Sequence, residues 1–221
     1  MRLYSGPLSL FTAKVRIALA EKGCEYERIE VGWSVADRYL PHHPDVAAHN
    51  PKAEVPVLVD GDLVLYDSTV LLEYLEDRNP HPPLYPADAA ERARCRQLEA
   101  AADEILFPPL WDLIEGVFYA TADGGGGGER VSAALAAWEA HYARLDKALT
   151  AGPYLCGDYS VADIGTFVMC NAAGTLGASA PSDHAAFHAW DARMRERPAV
   201  AQEVSEMGAA AAAALGSVRS Q

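Results

Sequence analysis

The chain has 221 residues, half of them hydrophobic, which is enough for one large core or two small ones. Its formal net charge of −13 is repelled by nucleic acid and by anionic membranes, so neither is an expected partner. No apolar run approaches the roughly 20 residues that span a bilayer, and Leu8 to Phe11 is too short for a signal peptide, so the cytoplasm is the expected location.

Arg2 to Tyr4 opens the chain as an apolar strand, and Ser5-Gly6-Pro7 is a turn. Thr12 to Lys22 has helical spacing, with Val15, Ile17, Ala18 and Leu19 on one side and Gly23 as its stop. Tyr26 to Val31 reads as a second strand, and Gly32 to Asn50 as irregular or weakly helical. Two further strands flank Asp60-Gly61-Asp62, a strong hairpin signal. The first of them is opened by Pro56, which lacks an N–H and is rare inside a sheet. Val55-Pro56 is therefore a candidate cis bond at a strand edge able to pair with an extended peptide. Asp67-Ser68 then opens an amphipathic helix, whose N–H groups and positive dipole end suit a carboxylate. A peptide-holding edge beside a carboxylate-holding helix start describes a site for a small anionic peptide.

Prolines at 80, 82, 83 and 86 place a domain boundary near residues 78–88, dividing an α/β unit over 1–80 from a helical unit over 88–221. Ala87 to Asp103 is helical, Pro108-Pro109 interrupts, and a second helix runs from Leu110 to about Ala120. Gly124 to Gly128 reads as a flexible loop, because a phosphate cradle would need a preceding strand and a following Lys-Ser or Lys-Thr. Ser132 to Leu149, Ala185 to Glu196 and Val200 to Leu215 are further helices, and Ser160 with Asp163 forms a capping box of structural purpose before Ile164 to Met169. Phe107, Trp111, Ile114, Phe118 and Tyr119 have the spacing of a core stripe. Cys24, Cys95, Cys156 and Cys170 make no CxxC pair and no metal-ligand spacing, so buried free thiols and no bound metal are expected.

These tracts, in this order, resemble the cytosolic glutathione transferases along nearly the whole chain. The resemblance rests on Ser9 to Leu19, Asn50-Pro51, Glu54 to Leu58, Asp67-Ser68, Glu73-Tyr74-Leu75 and Ser160 to Asp163. It implies a thioredoxin-like α/β domain, an all-α domain forming the acceptor pocket, and a homodimer. It also implies glutathione as co-substrate and a small hydrophobic electrophile as acceptor. Val55 would pair its backbone with the cysteinyl unit, Pro56 would be the cis-proline, and Asp67 and Ser68 would hold the γ-glutamyl end. His43 would reach the glycine carboxylate, and Leu10, Trp111 and Tyr119 would line the acceptor pocket. Ser9 matches the catalytic position, where its hydroxyl would stabilise the glutathione thiolate; by itself a serine there also reads as a helix cap. Two departures stand out: Leu10 where many relatives carry proline, and Ala53 where glycine is frequent. The same thiolate serves isomerisation and dehalogenation, and the fold also serves non-catalytic binding proteins.

Overall fold

The computed structural model describes residues 1–119 and 127–219. The chain divides into two compact units. One comprises Met1–Pro83 with the residues from Ala199 onward, and the other Leu84–Pro198.

The first unit is built on a four-stranded sheet of order β2-β1-β3-β4, from β1 (Arg2–Ser5), β2 (Glu27–Glu30), β3 (Val57–Asp60) and β4 (Leu63–Tyr66). The two inner strands carry the apolar residues: Leu3, Tyr4, Val57 and Leu58 are buried, whereas the edge strands are half-exposed. β1 and β2 are parallel, which requires a crossover, and α1 (Leu10–Glu21) supplies it. β3 and β4 form the hairpin, with Gly61 at φ +61° opening the two-residue turn. α2 (Pro44–His49) and α3 (Ser68–Arg78) complete the element order up to Pro83. This is the thioredoxin-like arrangement expected from the sequence.

α1 is buried on nearly every side, charged residues included. Lys14 is fully buried, with its ammonium 5.6 Å from the Phe11 ring centroid. Arg16 donates to Glu203 through Nε at 2.8 Å and through Nη2, and to the Ser5 hydroxyl at 2.5 Å. Glu203 lies on α9 (Pro198–Arg219), as does Glu206, which accepts from Arg28 at 2.5 Å. These charge pairs tie the C-terminal helix into the α/β unit.

The second unit is helical: α4 (Ala89–Ala101), α5 (Phe107–Phe118), α6 (Gly127–Leu149), α7 (Val161–Thr175) and α8 (Ala185–Arg195). α7 is its centre, with Val161 through Cys170 all buried. Trp138, Tyr142, Phe187 and Trp190 pack as tilted and edge-on rings with centroids 4.9 to 5.5 Å apart. The Asp163 carboxylate accepts from Ser160 N–H, the Ser160 hydroxyl, Leu155 N–H and the Trp190 indole, at 2.9 to 3.0 Å. Burial nonetheless holds this carboxyl above the usual range.

Three local expectations change. Pro108 and Pro109 do not interrupt a helix; they stand in the first turn of α5, which follows directly on a π-helical turn, Ala102–Leu106, the irregular stretch of this segment. Ser132 does not open α6, which starts at Gly127, and its hydroxyl donates back to Gly128 C=O at 2.8 Å. Of the glycine run, Gly127 and Gly128 are helical, and Gly124 to Gly126 lie outside the described residues, as does Ala120. The aromatic stripe of α5 is not core: Leu110 and Leu113 are buried, whereas Trp111 is 37% exposed and Phe107, Ile114, Phe118 and Tyr119 are half-buried.

Candidate functional site

Strand register brings the candidate segments of the first unit to one end of the sheet. Val57 lies opposite Tyr4 on β1 and Tyr66 on β4. The chain leaving β1, the chain entering β3 and the chain leaving β4 therefore emerge together. They carry Ser9, Val55-Pro56 and Asp67-Ser68.

Ser9 follows the turn after β1 and is the N-cap of α1. Its oxygen accepts the Thr12 N–H at 3.2 Å and the Thr12 hydroxyl at 2.9 Å. No described residue accepts its own proton, and the side chain is 8% exposed. Capping and availability as a donor thus coexist on one hydroxyl. Ser5, in contrast, is fully buried and held by Arg16. Leu10, next to Ser9, is buried with 5% of its surface exposed. The turn between them depends on Gly6, where an added Cβ would fall 2.3 Å from the Tyr39 hydroxyl oxygen.

The approach to β3 is a built loop. Asn50 is buried and donates its side-chain amide to Glu54 C=O at 2.7 Å while accepting Lys52 N–H at 2.9 Å. Ala53 within it has φ +53°, the left-handed region that favours glycine, so alanine is held there at a cost. Val55-Pro56 is a cis peptide. The Val55 side chain packs in the cluster of Tyr4, Val31, Val46, Val57 and Val59, while its backbone N–H and C=O make no hydrogen bond to the described residues.

Asp67 caps α3 with φ +77°, a conformation that non-glycine residues hold at a cost. Its carboxylate accepts Thr69 N–H at 3.2 Å and lies 3.5 Å from Lys52 Nζ. Ser68 is buried, and neither its N–H nor its hydroxyl proton is taken by a described residue. The helix start therefore presents unoccupied donors of the kind that hold a carboxylate.

His43 caps α2, its Nδ1 accepting Asp45 N–H at 3.3 Å, which leaves Nε2 as the outward nitrogen. Its ring meets Tyr4 edge-on at 5.3 Å, and Tyr4 donates to Asp45 at 2.8 Å, so α2 is anchored to β1. That hydrogen bond raises the Tyr4 pKa above the usual phenol value. Trp111 and Tyr119 belong to the helical unit, on and just after α5, with the Trp111 ring 5.9 Å from Phe107. Among the described residues, no group of three or more His, Cys, Asp or Glu side chains could hold a metal ion, and no helix is long and apolar enough to cross a membrane.

Two residues at this end of the sheet carried no distinct sequence signal. Thr12 reads as an ordinary helix residue, yet it makes both hydrogen bonds to Ser9. Lys52 follows Asn50-Pro51 in sequence and reads as a loop lysine, yet its ammonium stands beside the Asp67 cap.

A family model described as glutathione S-transferase, N-terminal domain, matches residues 3–83. The chain is 47% identical over 100 residues to a stringent starvation protein A homolog of Coxiella burnetii, covering 44% of each chain. It is 43% identical over 93 residues to glutathione S-transferase Z1 of Arabidopsis thaliana, covering 42% of this chain and 41% of that one. The chain thus spans less than half the length of these two curated relatives. Among solved structures it is similar to the theta class glutathione S-transferase of Xanthomonas axonopodis pv. citri with glutathione bound. The TM-score is 0.80 and the identity 31%, over 92% of this chain and 96% of that one. Matching fold and sequence over almost the whole of that enzyme, the chain belongs to the glutathione S-transferase family.

Proposed function

We propose that this protein is a glutathione-dependent transferase in which Ser9 stabilises the glutathione thiolate for attack on a small apolar electrophile. The observation that carries this reading is the Ser9 hydroxyl: its oxygen is saturated by Thr12, and its proton is committed to no described residue. Such a hydroxyl donates to an anion placed before it, and a charge-assisted bond is the stronger kind. Each unit by which the thiol pKa falls corresponds to about 1.4 kcal/mol, and the thiolate is the nucleophile. Serine stays neutral in this role, so no His or Asp partner is required.

The rest of glutathione follows the same chemistry. The unpaired N–H and C=O of Val55 take the cysteinyl backbone beside Pro56 in the manner of an added strand. The γ-glutamyl carboxylate sits on the Ser68 donors, and its amine on the Asp67 carboxylate. The Lys52 ammonium and the Nε2 side of the His43 ring supply the donors for the glycine carboxylate. Within the helical unit, the half-exposed rings of Trp111 and Tyr119 give the acceptor an apolar surface. The protein works as a homodimer in the cytoplasm.

A second reading is favoured by one observation. The chain matches a stringent starvation protein A homolog at 47% identity, and that name is not a transferase's. On this reading the unit is a non-catalytic binding module. The two part on one experiment: a pH titration of thiolate absorbance for glutathione bound to wild type and to Ser9→Ala. The catalytic reading expects the bound thiol to ionise about two units lower in wild type, with the shift lost in the variant. Absence of glutathione binding, or identical ionisation in both proteins, moves the binding-module reading ahead. Isomerisation and dehalogenation use the same thiolate and separate from conjugation in an electrophile screen.

A further inference from the structure

A buried arginine holds the turn that carries Ser9. β1 ends at Ser5, and Gly6-Pro7-Leu8-Ser9 turns the chain into α1, closed by the Ser9 N–H donating to Gly6 C=O at 3.3 Å. Proline at the second position of such a turn presets its φ. The closing bond is longer than the usual range for an N–H···O contact, so it is a weak fastening by itself.

Arg16 supplies a second one. Its Nη1 donates to the same Gly6 C=O at 3.2 Å and to the Ser5 hydroxyl at 2.5 Å. Gly6 C=O therefore takes two donors, one from Ser9 itself and one from the guanidinium of α1. The other side of the guanidinium, Nε and Nη2, faces the Glu203 carboxylate on α9. The fork is planar, so fixing one side of it fixes the direction of the other. Ser5 is fully buried, and the Arg16 and Glu203 side chains nearly so. α9 is itself held on this face: Val200, one turn before Glu203, is fully buried, and Glu206, one turn beyond, accepts from Arg28.

Stability alone does not call for such a pair. Apolar side chains of similar volume are often as good or better, because desolvating two charges costs about what their attraction returns. What apolar side chains cannot do is donate to Gly6 and Ser5. Given Ser9 as the thiolate donor, we propose that Arg16 is a positioning residue for that reaction: braced by Glu203, it fixes the Gly6–Ser9 turn and with it the placement of the Ser9 hydroxyl. Its effect falls on the thiolate and on turnover rather than on glutathione affinity, because the Val55 edge and the Ser68 helix start belong to other segments.

The test is the double variant Arg16→Met, Glu203→Leu in the full chain, which removes both charges together and leaves neither buried alone. Thiolate absorbance of bound glutathione is titrated against pH for this variant, for wild type and for Ser9→Ala. Turnover with chlorodinitrobenzene and thermal unfolding are measured beside it. The bound thiol should ionise about one unit higher in the double variant, with kcat down about tenfold. The KM for glutathione should stay within about twofold and the thermal midpoint should not fall. A thiol pKa and kcat equal to wild type, whatever the thermal midpoint, would overturn the proposal, as would a rise in KM alone. If Ser9→Ala moves the thiol pKa and the double variant does not, the positioning role alone falls. If glutathione does not bind, or Ser9→Ala leaves the thiol pKa unmoved, the Ser9 reading falls and the positioning role with it. Should the double variant not fold, Glu203→Gln, which keeps the shape and one acceptor, is titrated instead. It should move the thiol pKa in the same direction by less, and a wild-type titration would overturn the proposal.

Discussion

At Ser9, the proposed function gives one side chain two jobs that a sequence presents as rivals. As an N-cap it accepts hydrogen bonds, and as a thiolate donor it gives one. Thr12 separates the two by filling the acceptor side of the oxygen, which turns the proton outward. Thr12→Val keeps the shape and the backbone N–H but removes the hydroxyl. The bound-glutathione thiol pKa should then rise and turnover fall roughly threefold, with glutathione affinity little changed, because a single neutral hydrogen bond is at stake. An unchanged pH–rate profile would show that Ser9 needs no such orientation. Ala53 illustrates a different residue-level effect. At φ +53° its Cβ is strained, so Ala53→Gly should raise stability by about 0.5 kcal/mol in urea unfolding, part of the relief being offset by the glycine's greater unfolded-state entropy.

The start of α7 shows how one element is specified by residues far from it in the chain. The Ser160–Asp163 capping pattern is visible in sequence, but Asp163 also accepts from Leu155 and from the Trp190 indole. Asp163→Ala leaves the Leu155 N–H, the Ser160 N–H and the indole N–H without their acceptor in a buried setting. The expected cost is on the order of 4 kcal/mol, read from the urea midpoint, with a smaller loss for Asp163→Asn. A loss below about 1 kcal/mol would mean that water replaces the carboxylate. The α4–α5 stretch carries the opposite lesson. Two prolines look like a helix break, yet the chain stays helical through both, the departure from α geometry being the π-helical turn just before them, Ala102–Leu106.

For the whole molecule, acid response follows from carboxylates whose folded environment differs from the unfolded one. Asp60 is held below its usual pKa by the Tyr74 hydrogen bond and then by Arg78, and Glu206 by Gln202 and then Arg28. Each adds stability that is present above its unfolded pKa and disappears as pH falls through the lower folded one. Asp163 has the opposite sign: its raised pKa adds stability below the unfolded value, which is lost as pH rises through the folded value. The thermal midpoint should therefore change little from pH 7 to about 5 and fall below about 4. The double variant Asp60→Asn, Glu206→Gln should show a shallower acid limb. An acid limb as steep as wild type would assign the loss to other groups.

Much of the fold is legible in the chain's own residue pattern. The burial of Leu3-Tyr4 and Val57-Leu58, the Asp60-Gly61 hairpin and the start of α3 at Asp67-Ser68 are each encoded within a few neighbouring residues, because strand and helix periods and turn geometry are local. The positions of Ser9, Val55-Pro56 and Asp67-Ser68 are legible for the same reason. The α5 aromatics misled because a spacing of three to four marks one helix face without saying whether that face is covered. Only the tertiary structure decided that Arg16 is buried against Glu203, that Thr12 turns the Ser9 proton outward, and that Lys52 stands beside Asp67. The Arg16 and Lys52 partners lie 187 and 15 residues away, where contact is set by how helices and loops pack rather than by local pattern. Thr12 is only three residues from Ser9, but the direction of its hydroxyl depends on the buried surroundings of α1 and not on the spacing.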